Sequence, residues 1–167
     1  MRRALRRLAA LLFALPPAVL VVAQLGAFGG TAPTDLGVRD GRLKPPSATP
    51  NSVHSQAALW PDHPQRAGAR IDPLPLRGDG PASIARIREI VTAMPGATVV
   101  AARPDYLHVA FRTRWMGFVD DAEFWFDAAA GVVQVRSASR LGRRDFDVNR
   151  ERMEAIRAAL KQAAPAP

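Results

Sequence analysis

The chain has 167 residues, no cysteine, three histidines and a formal net charge of +8. This length suits one domain of ordinary size, and the lack of cysteine excludes disulfides, cysteine-ligated metals and thiol catalysis. A basic chain invites a nucleic-acid interpretation, but four arginines in the first seven residues supply half of the net charge. We therefore predict no nucleic-acid partner, no metal and no cofactor.

The first 30 residues predict a membrane anchor or a signal segment. After the N-terminal arginines, no charged residue occurs before Asp35. The uncharged stretch 8–30 is long enough to cross a bilayer, which takes about 20 apolar residues as a helix. The positive-inside rule then places everything after residue 30 outside the cytoplasm. In a bacterium, the chain would be an inner-membrane protein whose domain faces the periplasm. A signal peptide cleaved near Ala27–Gly29, with release into the periplasm, is the alternative.

Residues 31–80 predict a Pro-rich extended arm. Nine of the 15 prolines lie between residues 31 and 81. Because proline removes an amide donor and fixes φ, this stretch cannot form a central strand or a long helix. Apolar residues such as Trp60 and Leu74 could lay the arm across the domain that follows. A short Ala/Pro tail is expected at 163–167.

Residues 81–162 predict an α+β domain. A helix starts at Pro81 and stops before Pro95, and a last helix runs from about Asp147 to Gln162. Four strand-like runs lie between them: Thr98–Arg103, Tyr106–Trp115, Phe118–Asp127 and Val132–Ser139. The short loops join antiparallel neighbours. The expected fold is a four-stranded antiparallel meander covered on one face by two helices.

Strand alternation divides the acidic residues of the third run between two faces. Asp120 falls on the apolar face with Phe124 and opposite Ser139, whereas Asp121 and Glu123 fall on the outer face. Carboxylates on opposite faces cannot readily converge on one ion, so no metal site is predicted.

Loop lengths set the expected register of these strands. A two-residue turn at 116–117 would pair Asp121 with Arg112, and a four-residue loop at 128–131 would pair Glu123 with Arg136. Asn149 lies on the apolar stripe of the last helix, where a buried amide needs polar partners. The predicted structural polar network consists of Asp120, Asp121, Glu123, Arg112, Ser137, Ser139 and Asn149.

The segment between the last strand and the last helix is rich in arginine. It is either a solvated corner or a site where guanidinium groups bind a phosphate or carboxylate. The candidate anion-binding residues are Arg136, Arg140, Arg143, Arg144 and Arg152. The histidines at 54 and 108 are expected to be solvated or hydrogen-bonded, and no catalytic residue is assigned.

Several runs resemble the domain of unknown function 1499 family of bacterial and plastid proteins. The runs are 118–124, 135–142, 145–152 and, upstream, 49–56. The resemblance covers about residues 49–160 and implies a shared fold and export, with no established activity. Family members often have a cysteine where this chain has Ser52.

Three functional hypotheses follow. The first is a membrane-anchored, non-catalytic extracytoplasmic domain that binds an anionic lipid, a glycan or a protein partner at the arginine-rich corner. The second is a small hydrolase or lyase that uses Asp121 or Glu123 as base and Arg136 as electrostatic stabiliser. The third is a structural or assembly module of the cell envelope, which would expose a large apolar patch.

Overall fold

A computed structural model describes residues 16–162 of the chain. The helices are α1 over residues 16–24, α2 (Arg66–Ala69), α3 (Gly80–Thr92) and α4 (Val148–Gln162). The strands are β1 (Ser52–His54), β2 (Ala97–Arg103), β3 (Tyr106–Arg112), β4 (Val119–Asp127) and β5 (Val132–Ser139). A 3₁₀ turn follows β1 at Ala57–Leu59. The sequence-based prediction of a mixed fold, with both long helices and the antiparallel meander in place, is confirmed at this level.

The sheet has five strands in the order β1-β5-β4-β3-β2, so the prediction of four strands is wrong by one. The additional strand, β1, comes from the Pro-rich stretch and pairs with β5 through Val53↔Ser137. Three residues between prolines carry no detectable alternation, and an edge strand needs a ladder on one side only. The sequence pattern therefore did not predict this strand.

The predicted register is confirmed for one strand pair and wrong for the other. Between β4 and β5, Glu123 lies opposite Arg136 and Asp120 opposite Ser139, as expected. Between β3 and β4, Asp121 lies opposite Ala110 instead of Arg112. The connection is not a two-residue turn, because it runs over residues 113–118. The shift is two residues, so each side chain keeps its predicted face.

Helices α3 and α4 cover one face of the sheet. Asp79 caps α3 by accepting a 2.7 Å hydrogen bond from Ala82 N, and Pro81 occupies its first turn. Gly80 packs on the ring of Phe126 so closely that a Cβ would lie 2.1 Å from a ring carbon. The fully buried apolar side chains between helices and sheet include Ile87, Val91, Leu107, Val109, Phe124, Met153, Ile156 and Leu160.

The Pro-rich stretch covers the other face. Leu43 is buried there, and its backbone N–H donates to Gln56 Oε1 at 3.0 Å. Farther along, Ile71 and Leu74 join the apolar core, and Leu74 forms a bridge to Val133. The stretch therefore supplies an edge strand, part of the core and a cover for the outer face.

The predicted anchor falls partly on residues 1–15, and the predicted tail falls on 163–167; both lie outside the described residues. Within residues 16–162, no helix combines the length and the apolar character needed to cross a membrane. Residues 16–22 of α1 are exposed, whereas Ala23 is buried. The last turn of α1 thus meets the domain.

Candidate functional site: a buried charge layer and an exposed basic end

The outer face of the sheet carries a set of buried charged and polar side chains, which we call the charge layer. Its members are Tyr106, His108, Asp121, Glu123, Arg136 and Arg140. Glu123 is fully buried at its centre. Its Oε1 accepts hydrogen bonds from Tyr106 Oη and from Gly37 N, both at 2.8 Å, and its Oε2 lies 3.4 Å from Arg136 Nη1. Strand and arm together therefore satisfy this carboxylate.

Asp121 is the second carboxylate of the charge layer. Arg140 holds it with a fork of two hydrogen bonds, at 2.7 and 2.8 Å, and His108 Nε2 donates at 2.8 Å. Burial would raise the pKa of Asp121, but the hydrogen bonds from Arg140 and His108 outweigh it and lower the pKa to about 2. Asp121 is thus held as a carboxylate.

Burial also shifts the pKa values of Tyr106 and Arg136, the two side chains that contact Glu123. Burial and the adjacent Glu123 raise the pKa of Tyr106, so its hydroxyl stays a donor. Burial lowers the pKa of Arg136, and the nearby Glu123 opposes that shift. Arg136 also donates from Nε to Pro45 O at 3.3 Å.

His54 lies in β1 opposite Arg136 and is completely buried. Its Nδ1 accepts from Gln56 N at 2.9 Å, so its Nε2 donates to Lys44 O at 2.9 Å. Desolvation, followed by the charge of Arg136, lowers the pKa of His54 to about 4. The ring is therefore a neutral link between β1 and the arm.

The core face ends in a second polar network around Asn149. Arg152 Nη2 lies 2.6 Å from Asp120 Oδ2, and Arg152 Nη1 donates to Asn149 Oδ1 at 2.7 Å. The Ser137 hydroxyl also donates to Asn149 Oδ1. Asn149 Nδ2 donates to Ser139 Oγ at 3.2 Å. The structure thus brings together the core-face members that the sequence assigned to one network.

Arg112 lies apart from both networks. The two-residue change in register removes Asp121 from its side, and its Nη2 instead faces the carbonyls of Ala23 and Gln24 at 3.4 Å. Of the predicted polar network, Arg112 is the residue that the structure does not bring to the carboxylates.

The five candidate anion-binding arginines do not form one cluster. Arg136 and Arg140 pair with carboxylates on the outer face, and Arg152 pairs with Asp120 on the core face. Arg143 and Arg144 are exposed in the loop before α4, and within residues 16–162 neither has a carboxylate in ion-pair distance. Only these two of the five are therefore free for an external anion among the described contacts.

The exposed loops at one end of the sheet form a surface that we call the basic end. It consists of Arg112, Arg114, Trp115, Leu141, Arg143, Arg144, Phe146 and Val148, all of them exposed. Sequence reasoning missed Arg114 and Trp115 because alternation extended the second strand to Trp115 and placed its ring in the core. The strand ends at Arg112, and Trp115 is 64% exposed.

A cleft of about 460 Å³ opens between the arm and the outer face, beside Asp121, Arg136 and Arg140. A general base there would need an accessible carboxylate with a raised pKa. Glu123 is inaccessible, and the pKa of Asp121 is lowered. The arrangement is suited to locking the arm onto the sheet, and it does not favour acid–base catalysis by these two residues.

All four runs that carry the family resemblance meet at the end of β5, where Asp120 lies opposite Ser139. Asn51 Nδ2 donates to Gly142 O at 2.8 Å, and Asn149 Nδ2 donates to Asn51 O at 3.3 Å. Ser52 is buried and accepts a 2.9 Å hydrogen bond from Ser47 N. This hydrogen bond joins β1 to the preceding segment of the Pro-rich arm.

These features define a class of small α+β domain whose five-stranded sheet has an apolar face under two helices and a charge-paired face under a Pro-rich arm. The chain belongs to the family described as protein of unknown function (DUF1499), whose family model matches residues 42–160. The resemblance noted from the sequence is thereby confirmed. No curated protein and no solved structure matches the chain.

Proposed function

We propose that this chain is a non-catalytic, membrane-anchored extracytoplasmic domain whose basic end binds an anionic component of the cell envelope. The observation that carries the proposal is a set of unpaired cations in one place. Arg112, Arg114, Arg143 and Arg144 are exposed at the basic end, and none has a carboxylate within 4 Å among residues 16–162. Guanidinium groups are suited to phosphates and carboxylates because they present forked donors.

The other charged groups support this choice by elimination. Arg136, Arg140 and Arg152 each neutralise an internal carboxylate, so an anion that bound them would have to displace Glu123, Asp121 or Asp120. Removing a partner from a buried charge is costly. The arginines of the basic end can bind an external anion without displacing an internal carboxylate.

The anchor is supported by the sequence before the domain. The uncharged stretch 8–30 follows the N-terminal arginines, and its described part leads directly into the basic end through Gln24. A domain tethered in this way would hold its cations close to the envelope.

Topology is tested with the full chain in a bacterial host, fused after residue 167 to alkaline phosphatase or, in a matched fusion, to green fluorescent protein. We expect phosphatase activity, no fluorescence, and retention in the membrane pellet after carbonate extraction. Fluorescence without phosphatase activity would contradict the extracytoplasmic placement. Release of a shortened chain into the periplasm would replace the anchor with the cleaved signal peptide.

Anion binding is tested by retention of the purified full chain on immobilised phosphatidylglycerol and on heparin. The variant Arg143→Glu/Arg144→Glu should lose about thirtyfold or more in affinity, since each of the two removed cations contributes about 1 kcal/mol at an anionic surface. The control Arg42→Glu/Arg88→Glu makes the same charge change at two exposed arginines that likewise have no carboxylate within 4 Å among residues 16–162. Equal losses in both variants would refute a site at the basic end.

A further inference from the structure

We propose that the anionic component is the bilayer itself: the basic end lies on anionic lipid headgroups, with Trp115 and Phe146 inserted beside them as interfacial anchors. This inference rests on the membrane anchor of the proposed function and adds to it a specific partner and orientation.

Aromatic and aliphatic side chains alternate with arginines on this surface. Trp115 is 64% exposed, Phe146 85%, Leu141 41% and Val148 39%. Exposed aromatics beside arginines are typical of protein surfaces at the membrane interface, where the rings lie at headgroup level. Trp115 lies in the loop after β3, and Leu141 and Phe146 lie in the loop after β5, each beside arginines of the same loop.

The chain that leaves α1 contacts both loops of the basic end. Gln24 Nε2 donates to Arg114 O at 3.0 Å and to Trp115 O at 2.8 Å. Six residues later, Gly30 lies against Arg140 and Leu141 so closely that a Cβ would be 2.7 Å from Arg140 Cβ. Because residues 23–30 pack on the domain, a membrane segment would end before Ala23, and both loops would lie next to that end, at the bilayer surface.

The backbone at Phe146 is strained. Phe146 has φ +53° and Asp147 has φ +65°, a left-handed conformation that side-chain-bearing residues rarely adopt and that costs about 1 kcal/mol or more each. The Asp145 carboxylate fixes the loop, since it accepts from Asn149 N at 3.1 Å and Asn149 Nδ2 at 2.9 Å. The contacts of Asp145 at the start of α4 thus set the loop, and the loop leaves the Phe146 ring exposed. Insertion into the interface would bury that ring.

Exposed Asp147 and Glu151 lie beside the four arginines of the basic end, which still leave it net positive, so an anionic surface is the complementary partner. Four arginines of the basic end have no carboxylate partner within the described residues, and each cation near an anionic membrane contributes about 1 kcal/mol to binding. Arg114 stacks on Trp115, with its Cζ 4.9 Å from the ring centroid. The stack places one charge at the headgroups together with one ring.

Fluorescence quenching in vesicles tests this contact, because the chain has only three tryptophans. The variant Trp60→Phe/Trp125→Phe keeps Trp115, and the matched control Trp115→Phe/Trp125→Phe keeps Trp60, which packs on His54 away from the basic end. Both full-length variants are reconstituted into phosphatidylcholine vesicles with phosphatidylglycerol, with and without brominated lipid. We expect Trp115 to lose about half of its emission to the brominated lipid and Trp60 to lose little.

The charge requirement is tested in the same Trp115-only background. Arg143→Glu/Arg144→Glu, or omission of phosphatidylglycerol, should lower the quenching at least about twofold, and Phe146→Ala should lower it further. If a double tryptophan replacement unfolds the chain, the difference in quenching between the unmodified chain and Trp115→Phe reports the same ring.

The outcomes separate the two proposals. If the chain floats with the vesicles and Trp115 is quenched no more than Trp60, the bilayer contact is overturned and the anchor stands. The bilayer contact is equally overturned if the basic end retains a soluble glycan or protein while Trp115 stays unquenched. If the chain does not float with the vesicles, the proposed anchor fails and the bilayer contact fails with it.

Discussion

The two faces of the sheet are both buried, but by opposite chemistry. On the core face, α3 and α4 bring apolar stripes against Phe124 and its neighbours. On the outer face, the Pro-rich arm brings few long apolar side chains. It offers instead backbone groups outside regular structure, such as Gly37 N, Lys44 O and Pro45 O, which bind Glu123, His54 and Arg136 respectively. An irregular cover needs polar strand residues beneath it, because buried backbone groups require partners.

The largest effect is expected on the core face. Phe124→Ala should lower the free energy of unfolding by about 4 kcal/mol, because it removes a fully buried ring and leaves a cavity. Urea denaturation measures the loss. Val100→Ala, at a site 55% exposed, is the control and should change stability by less than about 0.5 kcal/mol. Comparable losses in the two variants would mean that this face is not the tightly packed core.

The second-largest loss of stability is expected when one partner of the buried ion pair in the charge layer is replaced. Glu123→Gln should cost about 3 kcal/mol, since it leaves Arg136 buried without its counter-charge. Replacing both partners, as Glu123→Gln/Arg136→Met, should recover most of that loss, because no unpaired charge remains and an amide oxygen can still accept from Tyr106 and Gly37. The urea midpoints of the two single variants and the double variant give the coupling. If the double variant loses the sum of the single losses, the two side chains act independently.

The sequence predicted the core face of the sheet more completely than the outer face. The core face and the β4–β5 register followed from alternation and a four-residue loop. An arm laid across the domain was predicted from its prolines and from apolar residues such as Leu74. Its edge strand and its polar contacts over the outer face could not be predicted, because a three-residue strand at Ser52–His54 has no periodicity and the bonds that hold it join residues about 90 apart.

The candidate site was predicted in part for a related reason. Alternation assigns faces, so Ser139 opposite Asp120 and Arg136 opposite Glu123 were predicted, whereas the ion pair of Asp120 with Arg152 was not. It does not show where a strand ends. Gly117 has φ +66° in a longer loop closed by a Thr113 N to Phe118 O hydrogen bond of 2.9 Å, and this loop turns Trp115 outward. The exposed surface at the basic end depends on that local hydrogen bonding.

A third effect is specific to the outer face and depends on pH. The pKa of His54 is lowered to about 4, whereas an unfolded histidine titrates near 6.5. The unfolded chain therefore binds the additional proton first, and stability falls as pH drops from about 6.5 to 4, by about 3 kcal/mol in total. Above pH 6.5 this group contributes no pH dependence.

Urea midpoints between pH 7.5 and 4.5 measure this slope. His54→Asn should start from a lower stability and show a flatter profile, because the titrating group is gone. His63→Asn, at a half-buried position between exposed residues of the arm, is the control and should keep the slope. A slope that survives in His54→Asn would assign the acid sensitivity to another group.

The smallest effect is expected for a solvent-exposed ion pair, which we compare with the buried ion pair of the charge layer. Arg86 and Glu89 of α3 approach to 2.7 Å, shorter than the 3.4 Å of the buried Arg136–Glu123 pair, yet the Glu89 side chain is 65% exposed. Glu89→Ala should cost only about 0.3 kcal/mol, because water solvates Arg86 once its partner is gone. Salt should weaken this pair and leave the Glu123→Gln loss nearly unchanged, since buried charges are little screened. If Glu89→Ala costs as much as Glu123→Gln, distance and not burial sets the strength of these pairs.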